Sequence, residues 1–161
     1  MSLVIDTLKI STVTEELNSA EIEILAELFE VQEFKDGEAI VQPGNDQQDN
    51  LYVLANGEIS VKIQDGGEES VIHVLKPGEL AGMITFAGGA ASDVSATLHA
   101  IGNTKVLSLP RAKFEKLINT HPMVVYKFMR GVIRNVHGIV RRVNTQSAEL
   151  SNYIYRAHGR Y

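Results

Sequence analysis

The stretch from Lys76 to Ala100, KPGELAGMITFAGGAASDVSATLHA, holds the residues best suited to binding a ligand. A Pro77-Gly78 turn opens it, and Gly82, Gly88, Gly89, Ala90 and Ala91 follow. Glycine lets backbone N–H groups approach a ligand closely and permits positive φ. Successive N–H groups exposed in this way suit a phosphate or another anion. A tight surface loop without a ligand has the same composition. The rest of the chain offers less chemistry. His73, His99, His121, His137 and His158 are scattered, without metal-ligand spacing. Cysteine is absent, which removes disulfides, thiol catalysis and the commonest zinc ligand. There is no nucleophile motif, P-loop or dinucleotide fingerprint. The expectation is a protein that is not an enzyme and that has no metal site.

The chain that must position this stretch has 161 residues, 44% of them hydrophobic, enough for one domain with a real core. No run is long enough to cross a bilayer and no signal peptide is evident, so a cytoplasmic location without membrane contact is expected. Net charge is −5 but uneven: residues 1–120 carry a balance of −11 and residues 121–161 one of +6. A basic tail of this kind can meet nucleic acid or an acidic partner, or fold against the acidic body.

Residues 1–16 are weakly patterned and read as an arm. Residues 17–30 read as a helix, with Asn18 and Glu21 spaced as a capping box and Leu17 and Ile22 as a hydrophobic staple. From Val31 to Leu109 short β-type runs alternate with turns, and Asn56-Gly57 has the composition of a hairpin turn. Pro110 suits the start of a short helix. From Met123 to about Arg156 the helical period lasts. Met129, Val136, Val143 and Leu150 repeat every seven residues, and Val125, Val132, Ile139, Gln146 and Tyr153 form a second such set. The two sets read as a coiled-coil seam for a homodimer, with one long helix packed on its own chain as the alternative. Gly131 and Gly138, also seven apart, suggest close helix approach or a hinge.

Taken together, several segments resemble the cyclic-nucleotide-binding domain family, the catabolite activator protein-like sensor domains. They are Phe34, Gly37, Ile40 and Gly44; Leu51-Tyr52-Val53-Leu54; Gly57-Glu58-Ile59-Ser60-Val61; Leu75, Pro77-Gly78-Glu79-Leu80 and Gly82; and Leu107, Leu109-Pro110-Arg111 and Phe114. The match covers roughly residues 12 to 140. It implies a mostly β fold: an antiparallel, jelly-roll-like β-roll preceded by a short helix and followed by a short helix and a long C-terminal helix. Residues 1–120 would form the roll with its N-terminal helix. Residues 121–161 would form the dimerisation helix and tail of the same structural domain.

The resemblance makes the stretch after Pro77-Gly78 a phosphate-binding cassette, with Gly82, Met83, Ile84, Thr85, Ser92, Val94, Ser95 and Ala96 as candidate ligand residues. In the family a Glu there holds the ribose 2′-hydroxyl and an Arg pairs with the cyclic phosphate. Here Met83 stands at the Glu position, and Val94, or Asp93 with a different gap, at the Arg position. No Arg or Lys lies between Lys76 and Lys105. The expected function is a non-catalytic regulatory or sensor module that does not bind cyclic AMP in the family's way. An apolar pocket lined by Met83, Ile84, Phe86 and Val94 is one alternative. Another is cyclic nucleotide binding with Arg141 or Arg142 as the phosphate cation, or with a backbone nest at Gly88–Ala91. A third is association with nucleic acid through the basic helix. The residues after the long helix are too few for a helix-turn-helix, and Lys127, Arg130, Arg134, Arg141 and Arg142 spread around it, so sequence-specific DNA binding is not expected. A protein partner is left open.

Overall fold

The structure, a computed structural model, describes residues 2–41, 49–88 and 96–158; the side chains at 64, 65, 84, 85, 143, 147, 150 and 153–158 lie outside the description. Two long antiparallel strands, β3 (Asn50–Asp65) and β6 (Ala96–Pro110), form its spine. Each bends in the middle. Near the start of β3 the flanking strands are β5 (Leu80–Ala81) and β1 (Glu30–Phe34). Past the bend they are β4 (Glu68–Leu75) and β2 (Ala39–Val41). The two halves fold over one another into an antiparallel β-roll.

The bend replaces the expected hairpin. Asn56-Gly57 lies inside β3 opposite Gly102-Asn103 in β6, and the register shifts between Leu54 and Glu58. Gly57 has φ +88°, and a Cβ there would sit 2.7 Å from both the Asn103 carbonyl oxygen and the Thr104 hydroxyl. The positive φ that suggested a reversal serves a bulge instead. The hairpin turn falls at Gly66-Gly67, between β3 and β4.

The run Leu51-Tyr52-Val53-Leu54 is buried throughout because β3 separates two cores. Leu51 and Val53 face the helices; Tyr52 and Leu54 face the inside of the roll with Ile59, Leu75, Leu98 and Val106. A strand covered on both faces loses the polar alternation of a half-exposed one.

The helical layer begins with α1 (Ser2–Ile10), where an arm was expected. Its buried face is Val4, Thr7 and Leu8, and the adjacent Ser11 is buried too. Two buried polar residues, Thr7 and Ser11, hide the helical period. Ser11 Oγ donates to the Gly78 carbonyl at 2.8 Å, and Thr14 Oγ1 donates to the Leu8 carbonyl. A 3-10 turn, Thr12–Thr14, leads to α2 (Ser19–Ala26). The capping box is present: Glu21 N donates to Asn18 Oδ1 at 2.9 Å and Asn18 N to Glu21 Oε1 at 3.1 Å. After the roll come the short helices α4 (Arg111–Glu115) and α5 (Leu117–Thr120) and the long α6 (Pro122–His158); α3 (Met83–Phe86) lies between β5 and β6. Phe86, Phe114 and Phe128 join α3, α4 and α6, with Phe114 centred 5.2 Å from Phe86 and 5.1 Å from Phe128.

Candidate functional site: the cassette and the long helix

The cassette starts from a tightly held turn. Gly78 N donates to the Leu54 carbonyl at 2.7 Å, and Leu54 N donates to the Glu79 carbonyl at 3.0 Å. Leu80 and Ala81 then pair with Val53 and Tyr52. Gly82 turns the chain away from β3 with φ +79°; a Cβ there would lie 2.6 Å from the Asn50 carbonyl oxygen and 3.3 Å from the Tyr52 ring. Tyr52 beneath it is buried, and burial raises its hydroxyl pKa, opposed in part by a hydrogen bond with Asn50.

Met83 and Phe86 do not line an open pocket. Met83 is 9% exposed and belongs to the main core, and Phe86, 2% exposed, packs in the aromatic trio. A helix of one turn carrying two large apolar side chains buries both in the core, Phe86 against Phe114 of α4 and Phe128 of α6. Ile84 and Thr85 lie in α3, with their side chains outside the description. Ser92, Asp93, Val94 and Ser95 lie outside the described residues, as do Gly89, Ala90 and Ala91 of the expected nest; Ala96 opens β6 opposite Ile63. Near Gly88 the structure brings up a cation that spacing did not suggest: a Cβ on Gly88 would lie 3.5 Å from Arg111 Nη1. Arg111 is itself held by Asp49 at 2.7 Å and Glu115 at 3.5 Å.

Helix α6 has two parts. Val124, Phe128 and Val132 are buried in the main core, with Val125, Met129 and Val136 packed partly against it. The seam read from sequence is therefore corrected for its first half, since Met129, Val132 and Val136 meet the helix's own chain. Ile139 is 38% exposed, and the side chains of Val143 and Leu150 lie outside the description. The outward apolar residues are instead Tyr126, Ile133 and Val140, 55%, 64% and 48% exposed and also seven apart. Gly131 permits the close approach: a Cβ would fall on the Val13 carbonyl, 2.8 Å from its carbon. Nothing lies within 4 Å of a Cβ on Gly138.

The basic residues of α6 face acidic ones. Lys127 Nζ lies 3.1 Å from Glu21; Arg130 reaches Glu16 at 3.1 Å; Arg134 reaches Glu15 at 2.7 Å and Glu16 at 2.8 Å. The Arg134 hydrogen bond, with Arg130 adding to it, lowers the Glu16 pKa. Tyr126 and then Glu16 raise that of Arg130. This part of the basic tail thus folds against the acidic body. Arg141 and Arg142 are exposed farther along, and Arg142 Nη1 lies 3.4 Å from His73 Nε2.

Away from the cassette, Glu33, Phe34, Lys35, Glu38, Asn56, Asn103, Thr104 and Lys105 line an open cleft of about 660 Å³ beside the strand bends. Its charges are mixed, and Lys105 lies 3.6 Å from Glu33. Among the described residues no cluster of His, Asp and Glu could hold a metal, and no helix is long and apolar enough to cross a membrane.

A two-halved antiparallel roll, a glycine-led cassette after Pro77-Gly78 and a long following helix define a ligand-sensing class of regulatory domain. Residues 31–121 match the cyclic nucleotide-binding domain, and the chain belongs to that family. It is similar to the HTH-type transcriptional regulator Cmr of Mycobacterium tuberculosis, 27% identical over 120 residues, which are 74% of this chain and 48% of the relative. It covers only 8% and 9% of the lysophospholipase and neuropathy target esterase relatives, so it spans less than half the length of these curated relatives. Among solved structures, the catabolite activator protein of Thermus thermophilus superposes with a TM-score of 0.69 at 25% identity, covering 85% of this chain and 63% of that one. A cyclic nucleotide-binding domain from Methylobacillus flagellatus KT superposes with a TM-score of 0.76 at 17% identity, covering 90% and 80%.

Proposed function

We propose that this chain is a non-catalytic, cytoplasmic regulatory module whose cassette does not hold a cyclic nucleotide through the family's ribose carboxylate and phosphate guanidinium. The observation that carries this reading is the placement of Met83. At the position where the resemblance expects a ribose-binding Glu, Met83 turns into the main core. It offers the ribose hydroxyl no acceptor, and an unpaired buried hydroxyl costs about 1–3 kcal/mol. Loss of the guanidinium partner of a buried phosphate costs about 2–5 kcal/mol more. Micromolar affinity is worth only about 8 kcal/mol in all. Arg142, an alternative cation, is engaged with His73.

Calorimetric titration with cyclic AMP and cyclic GMP, each to millimolar concentration, tests the proposal. The expected result is no heat of binding. Binding at tens of micromolar or tighter overturns it, and Arg111→Ala, Arg141→Ala and Arg142→Ala then locate the replacement cation.

The proposed partner is a second copy of the chain, met through Tyr126, Ile133 and Val140. A seven-residue repeat of outward apolar side chains fits pairing with a like helix. Nucleic acid is the weaker reading, because Lys127, Arg130 and Arg134 are neutralised within the chain. Ile133→Asp should yield monomers by light scattering at unchanged thermal stability, since Ile133 is 64% exposed. An unchanged mass would overturn the pairing.

A further inference from the structure

We propose that His73, Glu79 and Arg142 form a protonation-controlled latch between the outer part of α6 and the roll. His73 lies on β4, in the hairpin that β4 makes with β3. Its Nε2 is 3.1 Å from Glu79 Oε2, which lies between the Pro77-Gly78 turn and β5, and 3.4 Å from Arg142 Nη1 on α6.

These two contacts make opposite demands on one nitrogen. A carboxylate only accepts, so Glu79 needs a proton on Nε2. A guanidinium only donates, so Arg142 needs a lone pair there. The neutral ring with its proton on Nδ1 satisfies Arg142. The protonated ring satisfies Glu79 and presents a positive charge to Arg142. Histidine is the side chain whose ordinary titration falls between pH 5 and 8. Loss of the proton closes the Arg142 contact and gain of the proton opens it.

The position of Arg142 turns this local choice into a movement of the helix. Val136 is the last described α6 residue packed on the core, and residues 137–142 are exposed. Among the described residues, Arg142 makes the side-chain hydrogen bond that ties α6 beyond Val136 to the roll. Gly138, with open space around it, lies between the packed part and the tether. Other charges on the surrounding elements leave the choice to these three groups. Lys76 pairs with Glu58, Lys62 sits on β3 beside Val61, the residue facing His73, and Arg141 and His137 are exposed on α6. Among the described residues, the polar side-chain atoms within hydrogen-bonding reach of the ring are those of Glu79 and Arg142.

The latch is tested by distance. The chain has no cysteine, so Glu69→Cys and Glu149→Cys introduce the two label sites, both exposed in the structure. Spin-labelled protein diluted into unlabelled protein gives the intramolecular β4–α6 distance by pulsed electron resonance. The expected result is a narrow distribution at pH 8 that broadens and lengthens at pH 5.5. Arg142→Ala should be broad at both pH values. His73→Gln should stay narrow at both, because the Gln amide accepts from Arg142 without titrating. A wild-type distribution that does not change with pH overturns the latch, as does a His73→Gln protein that still responds.

Discussion

Gly131→Ala and Gly138→Ala add the same methyl group to the same helix seven residues apart, and they should move stability in opposite directions. In an open helix interior Ala is favoured over Gly by about 1 kcal/mol. Gly138 has nothing within 4 Å of an added Cβ, so this gain should appear in full. At Gly131 the Cβ falls on the Val13 carbonyl, whose carbon would be 2.8 Å away. That carbonyl belongs to a 3-10 turn fixed on both sides. Ser11 Oγ is bonded to Gly78, Thr14 Oγ1 to Leu8, and Asn135 on α6 bridges the Thr12 hydroxyl and the Gly131 carbonyl. A backbone atom so held cannot swing aside as a flexible side chain can. Overpacking costs about 1–3 kcal/mol, and the upper end applies here. After subtraction of the propensity gain, Gly131→Ala should lose about 2 kcal/mol. For a chain of this size that is a fall in Tm of about 4–8 °C, against a rise of about 2–4 °C for Gly138→Ala. Circular dichroism melts and urea titrations of the two variants beside wild type measure both. A Gly131→Ala protein as stable as wild type would refute the close approach of α6 to the 3-10 turn.

Phe128 is fully buried between Phe86 and Phe114 and couples the cassette helix to α6. Phe128→Ala should cost about 3–5 kcal/mol in urea unfolding, and a loss below 1 kcal/mol would contradict its central place. Glu21 accepts from the Asn18 N–H and from Lys127, in that order of effect, and both hold its carboxyl below the usual carboxylate range. A lowered folded-state pKa contributes stability above the unfolded value of about 4.3, and that stability is lost as pH falls through the folded value. Wild type should therefore exceed Glu21→Gln in stability at pH 7, and the gap should close as pH drops from about 5 toward 3. A gap that stays constant over this range refutes the ion-pair and cap assignment.

Much of the fold was legible because its signals are local. Asn18 and Glu21 form their capping box through atoms three residues apart. The β-type runs and the long helical period have the same standing. The missing acid and base of the cassette, Met83 and the absence of any Lys or Arg between Lys76 and Lys105, needed no coordinates. Other readings required knowledge of what lies across the fold. Helix α1 was obscured because Thr7 lies on its buried side and Ser11, just past its end, is buried too and finds its partner at Gly78, 67 residues along the chain. Which side of α6 faces outward also depends on the fold: two heptad sets one position apart look alike in sequence, and contact with the core separates Val132 from Ile133.

The sequence by itself determined the family, the capped helix α2, the β-type region followed by the long helix, and the residue types missing from the cassette. Each is a matter of composition, or of spacing within one turn of helix or one pleat of strand. Tertiary structure decided that Asn56-Gly57 bends a strand, that Gly131 is a contact and Gly138 an open position, and that Lys127, Arg130 and Arg134 are neutralised by Glu21, Glu16 and Glu15. A positive φ, a bare backbone and a charge are local properties. Their use depends on the atom that long-range packing brings against them: the Asn103 and Thr104 backbone, the Val13 carbonyl, or a carboxylate more than 100 residues away.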